Sequence, residues 1–191
     1  MSTDRQPLWP GSPVLADLVD RLVFTVREDE VFVFGSNRAG FHGAGGAGIA
    51  CRGNADVRTW RRDKAFSAMR EAPRGSETRR GRWAVYGVGR GHQVGTAGQS
   101  YAIETIERPG RQYRRGTPLR TIYAQLRELV AFANQRPELD FLVTPLGEGL
   151  SGYDRAEMAL VWQTLHERVA GGIPLSFRFV RLARAGDPSL T

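Results

Sequence analysis

Two apolar runs in the chain are each followed by a glycine-rich turn and then by a helical pattern. The first run, VFVFGSN at 31–37, precedes the glycines of 43–48, and the second, DFLVTPLG at 140–147, precedes those of 147–152. Both turns have the pattern G-x-G-x-x-G. Strands that are apolar on both faces, separated by helices, indicate one sheet covered on both sides. The pattern therefore predicts an α/β fold, a three-layer α/β/α sandwich with a mixed, mostly parallel central sheet.

The same alternation of strands and helices continues along the rest of the chain. Helices are predicted over 13–23, from about Gly45, from Pro118 and from about Asp154, and further strands over 83–89, 100–105 and 175–182. The segment 72–82 has no apolar periodicity and is predicted to be a mobile basic loop. We expect one domain over 13–183, with loose ends at 1–12 and 184–191.

Cysteine and histidine are too few for a disulfide framework or a structural zinc site. The chain has one cysteine and three histidines. Cys51 is expected to be a small buried residue rather than a nucleophile. Apolar runs fall short of the ~20 residues of a membrane helix, and 1–13 does not resemble a signal peptide. We therefore expect a cytoplasmic protein with no membrane partner, no metal and no required cofactor.

The net charge of +7 comes from two arginine-rich segments. Residues 52–82 hold ten basic and four acidic residues, and 108–120 hold five basic residues and no acidic one. A local basic excess suits a polyanion, so a nucleic-acid-binding module that uses these segments is one alternative function. Along the chain both segments lie away from the glycine turns, so we expect them to form a rim rather than the main site.

The glycine turns are suited to binding phosphate. Glycine lets the backbone approach a ligand closely, and a following helix offers free N–H groups. Two such turns at the carboxyl ends of sheet strands would suit a diphosphate. Three alternatives stay open: simple connecting turns, a Rossmann dinucleotide site, and an NAD-binding or nucleotide-metabolising enzyme. The Rossmann site is weaker than the connecting turns, because Gly43 comes well after the strand ends at Phe34.

The motifs around these turns resemble those of macrodomains. VFVFGSN with AGFHGAGGAG resembles their first ligand loop, and 149–153 resembles their second. The set FGSN-x-x-G-x-HGAG, YGVG-x-G, GQSYAI and LVTPLG-x-GL-x-GY is closest to a short bacterial and phage branch of macrodomain-like proteins, over about 31–180. The resemblance implies that the ligand is ADP-ribose or an ADP-ribosylated macromolecule.

The resemblance also implies roles for individual residues. Asn37 would contact the distal ribose, Tyr153 would flank it, and the second turn would wrap the diphosphate with its N–H groups. The implied ligand-binding residues are Gly35, Ser36, Asn37, Gly43, Ala44, Gly45, Gly46, Thr144, Gly147, Gly149, Leu150, Ser151, Gly152 and Tyr153. The residues alone leave two alternatives open: an Asn turn at position 37 and a core-packed Tyr153.

Hydrolysis of ADP-ribosyl adducts on protein or nucleic acid is a separate hypothesis. In macrodomains an Asp in the first glycine run or a Lys on a strand carries catalysis, and these positions hold Ala47 and Ile106 here. The remaining candidates are His42 and Glu148, one in each turn. An imidazole can act as acid or base, and a carboxylate can orient water. Both residue types are also common in loops without a catalytic role.

Overall fold

A six-stranded sheet forms the centre of the fold. The computed structural model describes residues 16–17, 26–43, 45–53, 64–107 and 116–181. The strands are β1 (Ala16–Asp17), β2 (Glu30–Asn37), β3 (Gly91–Val94), β4 (Gln99–Ile106), β5 (Asp140–Val143) and β6 (Phe177–Arg181), and the helices are α1 (Gly45–Arg52), α2 (Lys64–Glu71), α3 (Leu119–Asn134) and α4 (Arg155–Arg168). The strand order is β1-β6-β5-β2-β4-β3. Four of these neighbouring pairs are parallel and one, β3 with β4, is antiparallel.

Hydrophobic cores cover the two faces of the sheet. Val31 and Val33 of β2 pack with α3 and α4 in one core cluster, whereas Phe32 and Phe34 pack with α1 in the other. Alternate residues of a strand point to opposite faces, so β2 contributes to both cores. The α/β class, its three layers and its mostly parallel sheet are therefore confirmed.

Three of the four helix starts that the sequence predicts are found at or next to the expected residues. α1 begins at Gly45, and α3 begins directly after Pro118, whose fixed φ suits a helix start. α4 follows Asp154, which accepts a hydrogen bond from the N–H of Glu157 while the Glu157 side chain accepts from the N–H of Asp154. This capping box satisfies donors that would otherwise lack a partner in the first turn.

The segment 83–89 is not a strand, contrary to the prediction. Trp83 and Ala84 are fully buried in the core cluster of α1. Their N–H groups donate to the carbonyl oxygen of Ala50 at 2.8 and 3.1 Å. The last carbonyls of a helix lack intrahelical partners, so this segment caps α1 instead of joining the sheet. Trp83 and Ala84 are buried for that reason.

Three further differences concern short elements. β1 lies at 16–17, where the sequence predicts a helix, because these residues pair with Val180 and Arg181 of β6; the rest of 13–23 is outside the described residues. The predicted loop 72–82 contains a 3-10 turn at Glu77–Arg79. The edge strand β3 lies in a glycine-rich stretch that has no strand pattern. The ends 1–12 and 184–191 are not described, and the domain limits stay a prediction.

Within the described part of the chain, no helix is long and apolar enough to cross a membrane. Nor do the described residues contain a group of three or more His, Cys, Asp or Glu side chains placed to hold a metal ion. Cys51 is buried, as expected. Burial raises the pKa of its thiol to about 11, so the unreactive thiol form dominates at neutral pH.

An ion-pair network lies at the amino-terminal edge of the sheet and centres on Arg27. The fully buried carboxylate of Glu30 accepts the N–H of Arg27 at 2.9 Å and lies 3.2 Å from its guanidinium. Exposed Asp29 pairs with the same guanidinium at 3.0 Å. Asp140, at the start of β5, lies 3.9 Å from it and also pairs with Arg178 of β6. The network ties the start of β2 to its neighbours.

We predict that Glu30→Gln lowers the free energy of unfolding by about 1–3 kcal/mol, because it removes a buried charged acceptor from Arg27. Asp29→Asn removes the same charge from the same arginine at the exposed surface, where ion pairs contribute little. Urea denaturation of both variants checks this. Equal losses in the two variants would contradict the role assigned to the buried carboxylate.

Candidate functional site

The two glycine turns both begin at the carboxyl-terminal edge of the sheet, after neighbouring strands. β2 and β5 are parallel neighbours, with Val33 beside Val143. We call 38–45, after β2, the first loop and 144–153, after β5, the second loop. A Cβ added to Gly35 would lie 3.9 Å from the backbone nitrogen of Gly147. The two segments are therefore close together where they leave the sheet. Both turns therefore start from the same edge of the sheet; their joint binding of a diphosphate stays a prediction.

Asn37 organises the first loop from within. Its Nδ2 donates to the carbonyl oxygen of Phe41 at 2.8 Å, and its Oδ1 accepts the N–H of Phe41 at 3.1 Å. The N–H of Gly40 donates to the carbonyl oxygen of Asn37 at 2.8 Å. This is the Asn turn that the sequence left open. The ribose contact of Asn37 stays a prediction, and the carboxamide keeps one donor and one acceptor site for it.

The backbone of the first loop packs directly against the backbone of residues 87–89. Gly40 has φ +64°, and a Cβ there would lie 2.3 Å from the backbone nitrogen of Val88. The N–H of Gly87 donates to the carbonyl oxygen of Gly40 at 2.9 Å. A Cβ on Gly89 would lie 2.2 Å from the carbonyl oxygen of Asn37. Only glycine fits this approach, which explains the YGVG motif.

His42 is completely buried and lies on the core side of the first loop. Its Nε2 lies 3.0 Å from the carbonyl oxygen of Val85, so this nitrogen carries the proton. The ring makes an edge contact with Phe34, with centroids 5.4 Å apart. Burial lowers the pKa of His42 to about 4. The side chain is therefore neutral near pH 7 and serves the packing of the loop; its catalytic role stays a prediction that this placement does not favour.

The start of α1 continues the first loop at the sheet edge. Gly45 is exposed, has φ +56° and has open space where a Cβ would stand. The first turn of the helix contains no acidic residue. Gly43 and Gly46 are half-buried, and Ala44 lies outside the described residues. The first N–H groups of α1 have no intrahelical acceptors, which suits an anion at this position.

The second loop is a tight turn with an exposed tip. Gly147 has φ +75°, and a Cβ there would lie 2.8 Å from the sulfur of Met158. Residues Gly149–Ser151 form a 3-10 turn, and Gly152 has φ +77°. Leu150 is 77% exposed at the tip, and Glu148 is also exposed. The loop therefore presents its backbone together with one apolar and one acidic side chain.

Other predicted ligand residues in and beside the second loop hold the fold together. Thr144 is buried, and its hydroxyl donates to the carbonyl oxygen of Val33 at 2.9 Å. Tyr153 lies in the core, and its hydroxyl donates to the carbonyl oxygen of Thr117 at 2.7 Å. Ser151 is buried and accepts the N–H of Gly116 at 2.7 Å through its carbonyl oxygen. The core-packed alternative for Tyr153 is the arrangement found.

The predicted ligand residues at the end of β2 are also engaged within the fold. The hydroxyl of Ser36 is buried and lies 3.4 Å from the carbonyl oxygen of Asn37. Half-buried Gly35 packs against Thr105, whose hydroxyl a Cβ would approach to 3.1 Å. These residues form part of the carboxyl-terminal edge of the sheet but present no free side chain to a ligand. Ala47 is buried in the core beside α1, and Ile106 is the last residue of β4. Both side chains are hydrocarbons, so neither can act as an acid or a base.

Glu104 is an acidic residue at this edge that the motifs do not identify. It lies beside Ser36 in the register of β2 and β4. Its side chain is 12% exposed, and one carboxylate oxygen lies 3.6 Å from Nε of Arg38 in the first loop. The only charged residue within the predicted strand SYAIET is the sequence signal that could have found it.

Comparison with known proteins shows no family. No protein-family model matches the chain, and no curated protein matches it. A solved structure described as a protein of unknown function from Bacteroides thetaiotaomicron aligns with 12% identity and a TM-score of 0.47, over 88% of this chain and 99% of that one. A likeness at this level carries no argument about function.

The low pKa of His42 has a measurable consequence. We predict that its Hε1 proton signal keeps the same chemical shift from pH 8 to about 5, with a midpoint near 4. With three histidines in the chain, His42→Gln identifies the signal by its loss. Between pH 6.5 and 4 the unfolded chain binds a proton at this position that the folded chain does not. Stability therefore falls as the pH drops through this window, by about 3 kcal/mol from this group.

A titration midpoint near 6.5 would show that the ring reaches solvent, and the packing role would then be wrong. The unfolding free energy of His42→Gln, measured against pH, gives an independent check, because its slope between pH 6.5 and 4 should be shallower than that of the parent chain.

Proposed function

We propose that the chain binds ADP-ribose, free or attached to a macromolecule, between the first and second loops. The observation that carries the proposal is the placement of two glycine loops after neighbouring parallel strands. The carboxyl ends of parallel strands are where α/β sheets bind ligands. Two glycine loops that begin side by side can offer backbone N–H groups to a group with two adjacent phosphates.

Backbone geometry in both loops supports a diphosphate. The first loop leads into the exposed start of α1, which has no acidic residue in its first turn. In the second loop Gly147 and Gly152 both have positive φ, a conformation that turns the chain sharply without a side chain in the way. Because Asn37, Thr144 and Tyr153 bond within the fold, the proposal assigns phosphate binding to backbone N–H groups.

Two exposed apolar side chains support a ligand that also carries sugars and a base. Phe41 in the first loop is 37% exposed and Leu150 in the second is 77% exposed. Binding sites commonly pair a few polar groups with apolar side chains that cover rings. A nucleoside diphosphate with a second ribose offers both surfaces, whereas inorganic diphosphate offers only one.

Calorimetry with ADP-ribose tests the proposal. We predict that Leu150→Glu weakens binding at least about fivefold, because a carboxylate at the tip of the second loop repels the diphosphate by roughly 1 kcal/mol. Leu175→Glu is the matched control: Leu175 is 95% exposed and lies two residues before β6, at the opposite edge of the sheet. Both changes add one charge without disturbing the core.

Two results would overturn the binding proposal. One is the absence of heat at ligand concentrations near ~1 mM, and the other is an equal loss of affinity in the two variants. Competition with NAD and with AMP defines the ligand: stronger binding of NAD than of ADP-ribose favours the NAD-binding alternative.

Hydrolysis is a second step that the proposal assigns to Glu148. This carboxylate is exposed in the second loop, where it can orient a water molecule beside the ligand. We predict that Glu148→Gln keeps or gains affinity for ADP-ribose, since it removes a negative charge near the diphosphate. It should lower the release of ADP-ribose from ADP-ribosylated protein or nucleic acid at least about 100-fold.

Glu138→Gln provides the control for this substitution. Glu138 is exposed and lies before β5, at the far edge of the sheet, so turnover and affinity should stay unchanged. Unchanged turnover in Glu148→Gln would refute the role of Glu148. A parent chain that binds ADP-ribose but releases none from either substrate would be a binding protein and not a hydrolase.

A further inference from the structure

A strongly basic surface lies next to the first loop. Residues 64–82, which include α2 and the 3-10 turn after it, contain six basic and two acidic residues. Five of the basic residues are exposed and Arg79 is half-buried. We call the five arginines of this segment the arginine face: Arg70, Arg74, Arg79, Arg80 and Arg82.

Aromatic rings hold three of these arginines in place. Guanidinium carbons lie 5.9, 5.6 and 6.0 Å from ring centroids in the pairs Arg70 with Phe41, Arg79 with Tyr86 and Arg82 with Trp83. Arg79 is also used inside the fold, since its Nε donates to the carbonyl oxygen of Ala72 at 2.7 Å. A guanidinium about 6 Å from a ring centroid is attracted to the ring, and its N–H groups can still make the paired hydrogen bonds that phosphate accepts.

The arginine face touches the first loop directly. Phe41, which pairs with Arg70, belongs to that loop and makes edge contacts with Phe66 and Tyr86. On the other side, a Cβ on Gly87 would lie 2.6 Å from a guanidinium nitrogen of Arg79. Folding therefore places at least part of 52–82 beside a glycine loop, although the two lie apart along the sequence.

We propose that the arginine face binds the phosphates of a single-stranded nucleic acid, whose path leads to the first loop. Repeated phosphates match guanidinium groups that lie close together, as those of Arg70 and Arg79 do at the cluster of Phe41 and Tyr86. The Phe41 ring lies where this surface meets the loop and is partly exposed, so an unpaired base can stack on it, which a duplex does not permit. This inference goes beyond ADP-ribose binding and does not depend on it.

Other anionic partners fit the observations less well. A membrane surface would favour large exposed hydrophobic residues among the cations, and within residues 64–82 the structure has none. An acidic protein offers carboxylates on flexible side chains rather than a regular row of anions. The planar, ring-supported arginines match the row of phosphates better.

Fluorescence anisotropy with a labelled oligothymidylate of about 20 nucleotides tests this inference. We predict that Arg70→Gln, Arg74→Gln and Arg82→Gln together weaken binding at least about tenfold at ~50 mM salt. They should also lower the slope of log affinity against log salt by about 2, since each phosphate contact on a single strand contributes roughly 0.7. The oligonucleotide carries no ADP-ribosyl group, so this result is independent of the proposed ligand site.

A triple variant on the other side of the sheet is the matched control. Arg120, Arg127 and Arg136 are exposed on or just after α3, which packs on the face opposite α1. Their replacement by Gln removes the same charge and should change affinity less than about twofold. Circular dichroism of both variants verifies folding.

Four results would overturn the inference: no binding by the parent chain at low salt, an equal loss in the two triple variants, equal affinity for a duplex of the same length, or displacement by polyglutamate at the same charge concentration. The last result would indicate an acidic protein partner instead.

Discussion

The parallel pairing of β2 with β5 is the constraint on which the rest of the edge depends. It is buried on both faces, and the N–H and hydroxyl of Thr144 both donate to the carbonyl oxygen of Val33, at 3.0 and 2.9 Å. These bonds fix the points at which the segments after β2 and β5 leave the sheet. Since the strands are neighbours and run the same way, the glycine turns that follow must begin side by side. The candidate site is therefore a consequence of sheet order before any loop side chain is considered.

Within that edge, most polar side chains serve the loops themselves. Asn37 bonds to Phe41, Tyr153 bonds to Thr117, and His42 lies beside Val85 in the core. Each of them would leave a buried donor or acceptor without a partner if it turned toward a ligand, at a cost of about 1–3 kcal/mol. A rigid backbone that needs no such rearrangement is better suited to bind an anion. The proposed site accordingly depends on N–H groups and on the exposed residues Leu150 and Glu148.

The sequence predicts the layers of the fold well because they follow from periodicity. Apolar runs and helical spacing identify β2, β4, β5, α3 and α4. The prediction from sequence is wrong at 83–89, which is as apolar as a buried strand. The cause there is different, because Trp83 and Ala84 cap α1 and fill the core beneath it. Local pattern cannot separate these two causes of burial. The burial of His42 is invisible for a similar reason, since it depends on Gly40 meeting Val88, and those positions lie far apart in the chain.

Phe41 is where the two proposed surfaces meet. Its backbone is held by Asn37 at the ligand edge, while its ring lies under Arg70 and against Tyr86 on the basic side. A shift of the first loop would therefore move this ring within the aromatic cluster that supports Arg70 and Arg79. The edge and the arginine face thus share Phe41, so a strand bound by the arginines would lie next to the first loop.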